Sequence, residues 1–112
     1  MAEKKISKDV AEKIQELQII EQSLQAMIMQ KQSLQMELSE ISEALDELEE
    51  AKGDVYKIIG QIMVKSKKED LKKDLGSRKD IIELKLRNFE KQEKSLKERL
   101  TKLRDEVMSE LR

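Results

Sequence analysis

The feature that most constrains this chain is a row of apolar residues spaced alternately by three and four. It reads Leu17, Ile20, Leu24, Met27, Lys31, Leu34, Leu38, Ile41, Leu45 and Leu48, with only Lys31 polar. A 3.5-residue period sustained over this length specifies a coiled-coil helix, because only such a period keeps one stripe facing a partner helix. With Leu17 at position a, Ile20 falls at d.

A second row occupies the other half. Leu75, Ile82, Phe89, Leu96 and Leu103 repeat by seven and fit d; Lys72, Lys79, Leu86, Glu93, Leu100 and Val107 interleave with them and fit a. In an antiparallel pair, a faces d. Leu17 then meets Leu103, Ile20 meets Leu100, Leu24 meets Leu96, Leu34 meets Leu86, Leu38 meets Ile82 and Leu45 meets Leu75. Each pair is equidistant from residue 60, which is a glycine. Lys31 and Glu93 are expected to pair diagonally across the seam or to reach for solvent.

The segment around that glycine, VYKIIGQIMVK, is rich in β-branched residues. Gly60 at the first central position suits a two-residue type II′ hairpin, with Ile59 opposite Ile62 and Lys57 opposite Val64. Gly53 is a candidate stop for the first helix. Ser66 and Glu69 have the spacing of a capping box for the second, and Gly76 is a weak spot within it. The expected order is a helix at about 7–52, a hairpin at about 54–65 and a helix at about 67–111. Each helix is expected to be about 65 Å long, with both chain ends at one tip and the hairpin at the other. Acidic residues from Glu37 to Glu50 and basic ones from Lys67 to Lys79 favour the antiparallel pairing.

Composition removes most chemistry. His and Cys are absent, so imidazole bases, thiolate nucleophiles and their metal sites are excluded. No catalytic residue, metal site or cofactor is expected. Charged residues make up 42% of the chain, against about 25% in an ordinary domain. The net charge is only -1, which suits a solvated helix surface and argues against nucleic-acid binding. The least charged stretch, 17–36, carries six glutamines, which argues against a membrane span. No secretory signal is recognisable, and a cytoplasmic location is expected.

Two places remain unsatisfied. Val55, Ile59, Ile62 and Val64 fall on one face of the hairpin, and Tyr56, Ile58 and Met63 on the other. Apolar faces and unpaired strand edges invite other chains, so hairpins are expected to pair between subunits into a sheet or barrel. The second place is the tip. Ile14 and Val107 close the seam or lie open there. Ile6, Val10, Met108 and Leu111 lie beyond the last paired position and suit an apolar grip. Ile19, Ile28, Met29 and Met36 lie off the seam, as scattered surface residues or as part of a contact surface.

The segments MQKQSLQMELSEISEALDELE and DVYKIIGQIMVK, with the later FEKQEKSLKERL, resemble beta-type subunits of the prefoldin family in their archaeal form. The resemblance implies a mainly α fold: a long antiparallel two-helix coiled coil joined by a β-hairpin that assembles into an intersubunit β-barrel. It implies a hexamer of two alpha and four beta subunits, with Val55, Tyr56, Ile58, Ile59, Gly60, Ile62, Met63 and Val64 in the oligomerisation hairpin. It implies ATP-independent holding of unfolded polypeptides at the tips, by Ile6, Val10, Ile14, Val107, Met108 and Leu111, and delivery to a group II chaperonin. Alpha subunits carry two hairpins, whereas this sequence has room for one.

Two other readings stand beside it. A coiled-coil scaffold or adaptor without chaperone activity would link two defined partners. An RNA-binding helical arm would need a basic stripe, and the lysines and arginines from Lys72 to Lys91 are interleaved with acids.

Overall fold

The computed structural model describes residues 7–111. The order is α1 (Lys8–Glu50), β1 (Val55–Ile59), β2 (Ile62–Ser66) and α2 (Lys68–Leu111). The chain divides into two compact units. A hairpin unit comprises Gln32–Arg87, and a terminal unit comprises the described parts of Met1–Lys31 and Asn88–Arg112.

Nothing within α1 opposes a helix, since its 43 residues include neither Pro nor Gly. Ser7 starts it: its Oγ accepts from the Val10 N–H at 3.2 Å and its carbonyl from the Ala11 N–H at 3.0 Å. At the other end the Ala51 N–H reaches the Leu48 carbonyl at 3.3 Å, a tightened last turn. The Lys68 ammonium then donates to the Glu49 and Ala51 carbonyls at 3.1 and 3.2 Å. This cation on the helix C-terminus takes the place of the expected glycine stop. Among the described residues only Gly60 has positive φ, so Gly53 is not the left-handed cap that its position suggested.

The hairpin follows the expected register: Val55 pairs with Ser66, Tyr56 with Lys65, Lys57 with Val64, Ile58 with Met63 and Ile59 with Ile62. Gly60 has φ of 61°, whereas Gln61 stays at negative φ. That combination fits a type II′ turn and not type I′, which needs both central residues positive. Because the ladder extends to Ser66, that residue is extended backbone and does not cap α2. Lys67 precedes the helix instead, its carbonyl accepting from the Leu71 N–H at 3.1 Å. The capping-box reading therefore fails: strand pairing takes Ser66 before the helix can.

Within each unit α1 and α2 run antiparallel. In the hairpin unit Ile41, Ile82 and Leu86 are buried, packed by Leu34, Leu38, Leu45 and Leu75. In the terminal unit Ile20, Leu24 and Leu103 are buried, packed by Leu17, Leu96 and Leu100. All but Ile41 are residues that the mirror register pairs with one another.

Candidate functional site

Two surfaces stand out, one in each unit. In the hairpin unit alternation sorts the strands into two faces. Tyr56, Ile58, Met63 and Lys65 share one face; Val55, Lys57, Ile59, Ile62, Val64 and Ser66 share the other. Little of either is covered by the chain itself. Ile58, Ile62 and Met63 are 69%, 66% and 64% exposed, and Tyr56, Ile59 and Val64 are exposed as well. Only Val55 and Ser66, at the base, are half-buried. The base is also where ions tie the strands down: Lys57 Nζ lies 3.7 Å from Asp74 on α2, and Lys65 Nζ lies 3.5 Å from Asp54. The turn end presents apolar side chains on both faces, along with strand edges that have no neighbouring strand among the described residues.

The same unit carries the charge match expected across the seam. Lys72 pairs with Glu49, and Arg78 Nη2 lies 3.6 Å from Glu37. The hydrogen bond from Lys72, reinforced by its charge, holds the Glu49 carboxyl below its ordinary range. The same bond raises Lys72, against the pull of desolvation.

The terminal unit ends differently from expectation. Val10 was expected beyond the last paired position; it is buried, as is Val107. Ser7 keeps α1 regular through Val10, and α2 runs on to Leu111, so the stripe gains a further layer on each helix. Lys13 reinforces this end, its Nζ lying 3.4 Å from Asp9, 3.6 Å from Glu106 and 3.0 Å from Glu110. The hydrogen bond to Glu110 is the main reason the Lys13 ammonium is raised, opposed by desolvation and aided by the charge of Asp9. Ile14 is half-buried. Met108 and Leu111 stay exposed, at 54% and 43%. Ile6 lies outside the described residues. Of the six grip candidates, then, two are seam residues, one is partly so, and two present apolar surface.

Further along the terminal unit, Lys31 Nζ sits 3.5 Å from Glu93 Oε2, so of the two arrangements open to these residues the diagonal pair is the one formed. Glu90 and Lys97 extend the pair at 4.0 and 3.9 Å. Sequence reasoning did not single out the exposed Ile81 and Leu84 on α2. Their positions outside the a/d rows were the available signal. No helix among the described residues is long and apolar enough to cross a membrane.

Comparison with known proteins agrees with this architecture. The family described as "Prefoldin subunit" matches residues 11–112. The prefoldin subunit beta of Archaeoglobus fulgidus is 32% identical over 98 residues, covering 86% of this chain and 84% of that protein. That of Sulfurisphaera tokodaii is 45% identical over 53 residues, covering 47% of this chain and 42% of the relative. That of Saccharolobus islandicus is 39% identical over 57 residues, covering 51% and 45%. The chain thus spans less than half the length of these last two relatives. The crystal structure of the prefoldin beta subunit from Thermococcus strain KS-1 matches with a TM-score of 0.88 and 35% identity, over 98% of both chains. With one hairpin between two heptad helices, and with these matches, the chain belongs to the prefoldin family as one of its beta-type subunits.

Proposed function

We propose that this chain is a subunit of an ATP-independent holding chaperone of the cytoplasm. Four copies join two alpha subunits through their hairpins, which close into a shared β-barrel. The helix ends hold non-native polypeptide and pass it to a group II chaperonin. The chain contributes binding surface and no catalysis.

The exposure of the hairpin supports this reading most strongly. Burying six or so apolar side chains is worth on the order of 10 kcal/mol before the costs of association. A lone hairpin in water is marginal, so a neighbouring hairpin is the natural cover for both faces and edges. At the helix ends, the exposed Met108 and Leu111 offer a small apolar patch. Such a patch is weak alone. Several of them on one assembly hold a flexible chain by avidity, and contact by apolar side chains alone tolerates many client sequences.

The test is the native mass of the chain purified from its own cells, with its co-purifying subunits identified, followed by aggregation suppression. A hexamer with a second coiled-coil chain that protects an unfolded protein is the expected result. Removing about ten residues from each end should leave the hexamer intact and weaken client holding. A discrete complex with one unrelated protein, and no effect on unfolded chains, would replace this reading with that of a scaffold.

A further inference from the structure

In the terminal unit, the outward face of α1 carries no charge over four turns. Gln15, Gln18, Ile19, Gln22, Gln25 and Met29 point away from α2 and are all exposed. Ile19 is 62% and Met29 71% exposed. In a chain that is 42% charged, an uncharged solvent face is out of character. The charges that do occur between residues 15 and 30 are turned to the flank. Glu16 lies 3.0 Å from Arg99 Nη2, and Glu21 lies 3.7 Å from Arg104 Nη2. The outward face of α2 in the same unit is different in kind, with Lys91, Lys94, Glu98 and Lys102 all exposed.

We propose that this uncharged face of α1 is a second client-contact surface, which takes extended segments of non-native polypeptide. The proposal rests on the client-holding reading above and adds a site to it. Each glutamine amide presents a donor and an acceptor together, which matches the unpaired N–H and C=O groups of an extended backbone. Met29 and Ile19 supply adaptable apolar contact. The absence of charge means that clients of either sign meet no like-charge repulsion.

The dimensions favour this occupant over a folded one. The face is about 22 Å long and about 10 Å wide, on the order of 200 Å². A stable partner buries about 800 Å² per side, so a second copy of this chain finds too little surface here. A partner helix reads apolar anchors at successive turns, whereas between Ile19 and Met29 this face presents only Gln22, Gln25 and Ala26. A flexible chain that touches several such faces at once needs neither large area nor continuous anchors.

The experiment uses the full chain in its assembled state, with a benzophenone amino acid placed singly at Met29, at Met108 or at Lys91. The probe is fluorescent rhodanese unfolded in guanidinium and then diluted. The expected result is cross-linking to rhodanese from Met29 and Met108 but not from Lys91. In addition, Ile19→Glu with Met29→Glu should raise the amount of complex needed for half-suppression of aggregation by about threefold, through loss of one of several contacts. Circular dichroism and native mass should be unchanged, since both sites are exposed helix. Cross-linking from Met108 with Met29 no better than Lys91 would overturn this inference and leave the client-holding reading standing. A Met29 cross-link chiefly to another copy of the chain would overturn it in favour of self-association. No cross-link from any site, together with no suppression, would overturn both readings.

Discussion

Lys31 Nζ and Glu93 Oε2 lie 3.5 Å apart at positions of the heptad stripe that, in the core of the same unit, are filled by Leu17, Ile20, Leu24, Leu96, Leu100 and Leu103. The side chain of Glu93 is only 12% exposed and that of Lys31 23%. An ionic pair in this setting adds little net stability but penalises any shift of register that separates its members. The partners are unequal: Lys31 has a long stem that can carry its ammonium to water, while the two-methylene stem of Glu93 reaches less far.

Lys31→Leu is therefore expected to be the more harmful single change, costing about 1–3 kcal/mol by leaving a buried carboxylate with Lys97 alone nearby. Glu93→Leu should cost less. The double leucine variant should equal or exceed the parent in stability. Urea unfolding at one fixed protein concentration checks the order. A double variant that is the least stable of the set would remove the register argument.

The glycines separate backbone need from space. A Cβ at Gly60 or Gly76 would meet no atom within 4 Å, but Gly60 alone has positive φ. Gly60→Ala should destabilise by about 1–2 kcal/mol through conformational strain alone. Gly76→Ala, within α2, should stabilise by about 0.5–1 kcal/mol. Thermal unfolding of both variants should shift the midpoint in opposite directions.

The directly opposed pair Ile59 and Ile62 suits a test of the hairpin as assembly surface. Ile59→Asp with Ile62→Asp places two carboxylates across one rung and removes two apolar side chains. Size-exclusion chromatography with light scattering should show loss of assembly, while the helical signal persists. An assembled double variant would refute the role given to the hairpin.

The ion pairs set the pH window. Glu49 is held below its ordinary value of 4.5, so its contribution is present above that value and lost as pH falls through the lower folded one. Lys72 and Lys13 are raised above 10.5, so theirs is present below that value and lost as pH rises through the higher folded one. Stability should be flat between these limits and fall outside them. These groups are solvent-screened, so each effect is small. Thermal midpoints across pH should show Glu49→Gln losing less on acidification than the parent does.

Much of the fold was legible because it is written in local periods. The two heptad rows, their mirror about Gly60 and the strand alternation all depend on spacing along the chain, and each sets a face before any partner is present. The hairpin's apolar faces were legible for the same reason. Where spacing was ambiguous, competition between elements decided the outcome. Ser66 had capping chemistry, but a rung with Val55 held it in the strand. Gly53 had stop chemistry, but Lys68, from the far side of the hairpin, reached the end of α1 first.

The sequence by itself determined the helices, the turn and the register that pairs Leu17 with Leu103, because these follow from periodicity and from one glycine's freedom at positive φ. Only the tertiary structure decided that Val10 is buried while Met108 is not, and that Glu16 and Glu21 turn to α2 and leave the outward face of α1 bare of charge. Those outcomes depend on how far the opposite helix extends and where its arginines stand, which no spacing within α1 records.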